Sequence, residues 1–204
     1  MIAHDLRTPV TSIKGFSQLA LRQKEMSPQL AQYLTTVVSE ANRIATMVDD
    51  LVIVSGIEQG VVVPKRARVE VYPLLRALAG VSTSPDLPVE VATGPGSFVV
   101  LADPQMLERV FANLVRLALK YCRTGDSVQL GVERSKEELI SWVAPHPSHV
   151  EDVYEDAGFP SETYHPRGMS SYIATQLVGA LGGTLHTEAI AYGIRYEIRF
   201  PAAR

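Results

Sequence analysis

The sequence predicts an α+β fold in two parts, a helical hairpin followed by a mixed half of helices and short strands. Up to Gly60 the apolar residues recur at helical spacing with no strand pattern among them. Beyond Gly60, short β-branched and aromatic runs appear, bounded by turns, with helical patterns between them. The chain has 204 residues, 46% of them hydrophobic and 20% charged, which is enough to bury a core without metal or disulfides and excludes a disordered, collagen-like or rod-like protein.

In the first run Ile2, Leu6, Pro9, Ile13, Phe16 and Ala20 alternate at steps of four and three, which places them on one stripe of a helix. Leu30, Leu34, Val37, Ala41, Ile44, Val48 and Leu51 repeat the pattern after a break at Met26, Ser27 and Pro28. Ser27 ahead of Pro28 is an N-cap and first-turn pair, so the second helix starts near Pro28 and stops around Gly56 to Gly60. Two such helices make an antiparallel hairpin. Each buries a stripe on one side only, so the hairpin is expected to complete its core by pairing with a second copy into a four-helix bundle.

The second part is expected to have strands at 61–63, 89–91, 98–101, 128–132, 139–143 and 196–200, with helices at 71–79, 104–122 and 170–181. The last helix is stopped by Gly182 and Gly183. The stretch 145–167 carries four prolines and three of the five histidines and reads as a loop; the spacing of His146, His149 and His165 matches no standard metal site. The expected division is 1–60 and 61–204.

Several functions are excluded at this level. The net charge is −3, and the densest basic run is only Lys65, Arg66 and Arg68, so the chain carries no footprint for nucleic acid or an anionic membrane. A single cysteine, Cys122, allows no intrachain disulfide and fits a reducing compartment. No run approaches the ~20 apolar residues of a membrane span, and the start lacks a signal-peptide layout. The expected localisation of this piece is cytoplasmic, with no direct membrane contact.

The chemistry is concentrated at the start. His4 lies two residues from Ile2 and two from Leu6, so it is expected to point away from the apolar stripe into solvent. The neighbouring carboxylate of Asp5 can fix the imidazole tautomer and sharpen the other ring nitrogen as a nucleophile toward phosphorus. Thr8 follows one turn later on the same face, and Pro9 removes a helix hydrogen bond beside the histidine. The run Ala3-His4-Asp5-Leu6-Arg7-Thr8-Pro9, followed by Thr11 to Phe16, closely resembles the H-box of sensor histidine kinases. The resemblance continues in order through the chain: Glu40 to Leu51, then Leu101-Ala102-Asp103-Pro104 through Tyr121, then the strand at 139–143, the 168–174 segment, Leu181-Gly182-Gly183 and the closing strand. It implies a dimerisation and phosphotransfer hairpin followed by a histidine-kinase-like ATPase sandwich, with His4, Asp5 and Thr8 as catalytic residues and a response-regulator receiver domain as partner.

The same resemblance implies an ATP and magnesium site whose boxes are altered here. Asn113 matches the first asparagine of the N-box, but Leu117 stands where the second would give magnesium an oxygen. Lys120 and Tyr121 match residues used against phosphate and adenine. The stretch Ala144-Pro145-His146-Pro147 stands where the family has an aspartate and glycines, with Ala144 matched to the base acceptor. Gly168 remains from the later glycine box, followed by Met169-Ser170-Ser171, and Ser170 can serve as a helix cap. Losing the metal ligand, the base acceptor and the close backbone approach together removes orders of magnitude of affinity, so neither ATP nor magnesium is expected to bind, and autophosphorylation is expected to be absent.

His4 then acts in phosphoryl relay or receiver dephosphorylation. The alternatives are an active kinase with an atypical nucleotide site, a non-catalytic dimerising or receiver-binding scaffold, and a site in which Lys120, Tyr121, Arg116 or Arg123 holds an anion in another pose.

Overall fold

The computed structural model describes residues 2–23, 26–81, 87–135, 137–148 and 169–201. The chain divides into two compact units, Met1–Val62 and Val63–Arg204.

The first unit is the hairpin of α1 (Ile2–Leu21) and α2 (Pro28–Glu58). The α2 N-cap is Ser27, whose hydroxyl accepts from the Leu30 amide while Pro28 occupies the first turn. At the other end Gly60 is left-handed (φ 68°), and the amides of Val61 and Val62 both donate to the Gly56 carbonyl. The seam between the helices uses Val10 and Ser17 of α1 and Ala41, Val48, Asp50 and Val54 of α2. The heptad stripe of α1 instead faces outward, with Leu6, Ile13 and Phe16 exposed and Phe16 the most open at 73%. On α2, Leu30, Val37 and Ile44 are exposed as well, so the unit carries an apolar face left open among the described residues.

The second unit contains β1 (Ala67–Glu70), α3 (Val71–Val81), β2 (Val89–Val91), β3 (Val99–Ala102), α4 (Pro104–Ala118), β4 (Ser127–Arg134), β5 (Glu138–His146), α5 (Met169–Ala180), β6 (Thr184–Ile190) and β7 (Gly193–Pro201). A 3₁₀ turn, Leu119–Tyr121, extends α4. β1 and β3 form a two-stranded antiparallel ribbon, and the main sheet has the order β2-β4-β5-β7-β6, with β2 parallel to β4 and the other pairs antiparallel. One face of the sheet is closed: Val128, Leu130, Leu139, Val143, Tyr196 and Ile198 are all buried. The opposite face is more polar, and Trp142 sits there with the Arg195 guanidinium 4.6 Å from its ring centroid.

Three expectations are corrected here. Residues 61–63 form no strand, because the chain there turns back on α2 and Val61 is 78% exposed; the strand begins at Ala67. β6 was not expected, although Leu185, Thr187 and Ala189 alternate with exposed polar residues. The stretch taken as loop from Pro145 begins inside β5, which keeps pairing with β4 through His146 after its ladder to β7 has ended at Val143. Pro145 therefore sits where β5 has one neighbour, which tolerates a residue with no amide hydrogen.

Candidate functional site

α1 carries His4, Asp5 and Thr8 within its first two turns; for His4 and Asp5 only the backbone is among what the structure describes. Thr8 is on the exposed part of the helix, and its carbonyl accepts from Ser12 Oγ at 3.2 Å. Thr11 Oγ1 donates to the Arg7 carbonyl at 2.8 Å in the same way. Such back-bonding next to Pro9 draws on carbonyls in the turns where the proline has already removed one helix bond, the local chemistry of a bend. Arg7 Nη2 donates to Asp49 Oδ1 at 2.6 Å, tying the turn that follows His4 to α2. Both side chains are about half exposed, so the pair is worth at most about 1 kcal/mol; it sets orientation more than stability.

The second candidate region lies along α4 and its 3₁₀ extension. α4 starts at Asp103, a cap that the sequence reading did not identify although aspartate before proline signals one. Asp103 Oδ1 accepts from the amides of Gln105 and Met106, and Oδ2 accepts from the Lys65 amide at 2.8 Å. Further along, Asn113 is 1% exposed and its Oδ1 accepts from Arg116 Nη1 at 3.1 Å. Leu117 is 6% exposed. A buried hydrocarbon offers no oxygen to a hard divalent cation, so the residues present do not fit magnesium at this position. Lys120 is exposed and Tyr121 half-buried.

Gly193 (φ 146°) shows why Tyr121 sits where it does. A Cβ there would come within 2.8 Å of Pro145 Cγ and 2.9 Å of Tyr121 Cβ, so only glycine lets the two rings close over β7. Pro145 therefore lies beside Tyr121, on the same sheet face as Leu139 and Val143, while Ala144 alternates to the opposite face. The β5 side chain beside Tyr121 is thus the Pro145 ring, and Ala144, matched to the base acceptor, lies on the other face.

Just beyond, Asp126 latches the ends of β4 and β5. Its Oδ2 accepts from the Arg123 amide at 2.7 Å and its Oδ1 from the Ser148 amide at 3.0 Å. Burial pushes this carboxyl up, but the amides of Arg123 and Ser148, the Ser148 hydroxyl and the Arg123 charge together hold it below the ordinary aspartate value. Burial, followed by the nearby Asp126 charge, raises the Cys122 thiol to about 11 against a smaller opposing contribution from the His146 backbone.

Ser170 does not cap α5: it is buried inside the first turn, after Met169. Gly168, His149 and His165 lie outside the described residues. Among the described residues no group of three or more metal-ligating side chains occurs, and no helix is long and apolar enough to cross a membrane.

Residues 1–60 match the His Kinase A (phospho-acceptor) domain family. Over 98% of its length the chain is 25% identical to the sensor histidine kinase CusS of Escherichia coli K12, of which it covers 44%. The chain thus spans less than half the length of this curated relative. Among solved structures, the Acinetobacter baumannii histidine kinase AdeS aligns at a TM-score of 0.58 and 18% identity, covering 98% of each chain. The histidine kinase ThkA, in complex with the response regulator protein TrrA, aligns at 0.61 and 18% identity, covering 99% of this chain and 60% of that one. Residues 1–60 are a phospho-acceptor domain of the His Kinase A type, and the chain as a whole is similar to the catalytic core of sensor histidine kinases.

The helical unit is the phospho-acceptor hairpin, with His4 in its first helix, and the sheet unit has the fold of the ATPase-like sandwich found in solved histidine kinases. At the positions that the resemblance matches to the N-box, Asn113 is bonded to Arg116 and Leu117 is buried.

Proposed function

We propose that this chain serves two-component signalling through His4 as a phosphorelay histidine phosphotransferase or a response-regulator phosphatase, without ATP-driven autophosphorylation. The observation that carries the proposal is the buried Leu117, which denies magnesium an oxygen ligand beside an asparagine already engaged by Arg116. The proline ring against Tyr121 supports the same reading, because it leaves neither carboxylate nor open backbone to receive a base.

In relay, a His4 ring nitrogen attacks the phosphorus of an aspartyl phosphate on a receiver domain. An N–P bond forms as the P–O bond breaks, and the aspartate carboxylate leaves with the electron pair. In dephosphorylation a water oriented by the Thr8 hydroxyl attacks instead, releasing phosphate and the free carboxylate while the water's proton passes to solvent. Holding the two reacting groups in line supplies most of the rate in either direction. The complex formed by ThkA with its response regulator supports a receiver as the partner. The exposed stripe of Leu6, Ile13 and Phe16 on α1 with Leu30, Val37 and Ile44 on α2 supports pairing of two copies into a four-helix bundle. Phe16→Asp is expected to convert a dimer into a monomer in sedimentation velocity.

A second reading, an active kinase with an atypical nucleotide site, is favoured by the names of relatives such as the sensor histidine kinase CusS. One experiment separates the two. The chain is incubated with magnesium and labelled ATP, and in parallel with a receiver domain phosphorylated by a small phosphodonor. The proposal expects no label from ATP and a loss of receiver phosphate faster than that of the receiver alone, abolished by His4→Ala in the relay mode and by Thr8→Ala in the dephosphorylation mode. Label on His4 from ATP overturns the proposal in favour of the kinase. Receiver turnover unaffected by both His4→Ala and Thr8→Ala would leave a scaffold.

A further inference from the structure

The main sheet ends in two unlike edges. β2 offers three residues, the kind of short edge that resists pairing with another chain. β6 offers seven, with an unbroken register to β7 and with no proline, lysine or bulge to blunt it. Among the described residues no strand pairs with its outer side. The two-residue loop between Ile190 and Gly193 makes those two a hydrogen-bonded pair, so the alternate residues Leu185 and Ala189 turn their backbone groups to the outer edge.

The sequence of β6 is complementary to itself. Antiparallel pairing of two copies about a two-fold axis through Thr187 sets Leu185 opposite Ala189, Thr184 opposite Ile190 and His186 opposite Glu188, each twice. In that register His186 and Glu188 form the close, non-hydrogen-bonded pair, with Cα atoms about 4.5 Å apart. Moving the axis by one residue sets either His186 or Glu188 opposite itself, so charge selects the Thr187 register. Both side chains are exposed. Within the chain Glu188 lies across from Arg195, but that guanidinium is turned to Glu197 at 2.9 Å and to the Trp142 ring. Among the described residues Glu188 has no ion-pair partner. His186 Nε2 is 3.1 Å from Thr184 Oγ1, which leaves Nδ1 for a carboxylate across the axis.

We propose that β6 is a self-recognition edge that joins the sheets of two copies of this chain, β6 antiparallel to β6, with His186 of each copy facing Glu188 of the other. The two-fold axis closes the contact, and the short β2 ends the joined sheet on both sides. Two such strands bury far less than the ~1,200 Å² of a stable complex, so the pairing is weak between free chains. It is separate from the hairpin pairing and needs no chemistry at His4.

Disulfide trapping tests this in the full chain carrying Phe16→Asp, which sets the hairpin face aside. Chains with His186→Cys and with Glu188→Cys are oxidised by glutathione disulfide, mixed and separately at equal total concentration, and resolved on non-reducing gels. The chain with Cys122 as its one cysteine is the control. The mixture is expected to cross-link about tenfold faster than either variant alone, because like positions lie on a diagonal of about 7 to 8 Å, beyond disulfide reach. Equal rates in all three samples overturn the register. Cross-linking no faster than the control overturns the contact, as it would if another segment of the chain covered this edge. Should a cysteine variant fold poorly, charge gives the second reading. Glu188→Lys is expected to weaken association about threefold to tenfold in a sedimentation concentration series, and adding His186→Glu to restore it. Association unchanged by Glu188→Lys, or loss without restoration, overturns the facing of these two residues.

Discussion

Asp103 holds the start of the helix that carries Asn113, Arg116 and Leu117, and its replacement has a cost that can be worked out from three bonds. In Asp103→Ala the amides of Gln105 and Met106 lose their cap, worth about 1 kcal/mol. The part-buried Lys65 amide loses a charged acceptor, worth roughly 1 to 2 kcal/mol more. The sum is about 2 to 3 kcal/mol. Asp103→Asn keeps an oxygen for the cap and gives up the charge and one of the two acceptors, so about half that loss is expected. The chain has one tryptophan, Trp142 in β5 of the second unit, so its fluorescence during urea unfolding reports the unit in which Asp103 lies. With a urea slope of about 2 kcal/mol per molar, the midpoint should fall by roughly 1 M for alanine. A shift under about 0.2 M for Asp103→Ala, or an asparagine variant as damaged as the alanine one, would refute the assignment of the cap.

Three further outcomes are expected. Gly131→Ala would place a Cβ 2.2 Å from Trp142 Cε2, so it should cost about 1 to 3 kcal/mol and shift tryptophan emission as the ring leaves Arg195; unchanged emission and stability would count against this packing. Asp126 has a lowered folded pKa, so the stability it contributes is complete above its unfolded value and is lost as pH falls through the folded one. Acid unfolding monitored by Trp142 should therefore be steeper in the parent than in Asp126→Asn, and equal slopes would remove the latch from the account. Cys122, raised to about 11, should react with iodoacetamide at pH 8 roughly 100-fold more slowly than an unperturbed thiol; reaction at the free-thiol rate would contradict its burial.

Much of this fold is legible from periodicity. α2 follows its apolar spacing and its Ser27-Pro28 start, and β4, β5 and β7 coincide with β-branched runs flanked by turns. Val61 to Val63 shows where such reasoning fails. Three valines have strand propensity, but Gly60 reverses the chain, and no neighbouring strand pairs with them. β1 escaped notice because only Val69 of its four residues is buried. The heptad stripe on α1 was visible, yet spacing alone does not say which partner covers it, and the intrachain seam uses Val10 and Ser17 instead. At the second site the identity of Leu117 was legible, but the face on which Pro145 points depends on β5 register, which no local pattern encodes. The Arg116 bond to Asn113 likewise follows from a rotamer, not from composition.

The closure of Pro145 and Tyr121 over Gly193 bears on how this protein can change over generations. Replacing Pro145 by aspartate would place a carboxylate against an aromatic ring with no assured donor, and replacing Leu117 by the asparagine that the N-box resemblance implies would put an amide into a hydrocarbon setting. Each step alone costs about 1 to 3 kcal/mol before any ligand can offset it. Under the proposed loss of metal binding, selection therefore meets a barrier on the way back. Substitutions at the surface of α4 are expected to be tolerated more readily than substitutions at these packed positions.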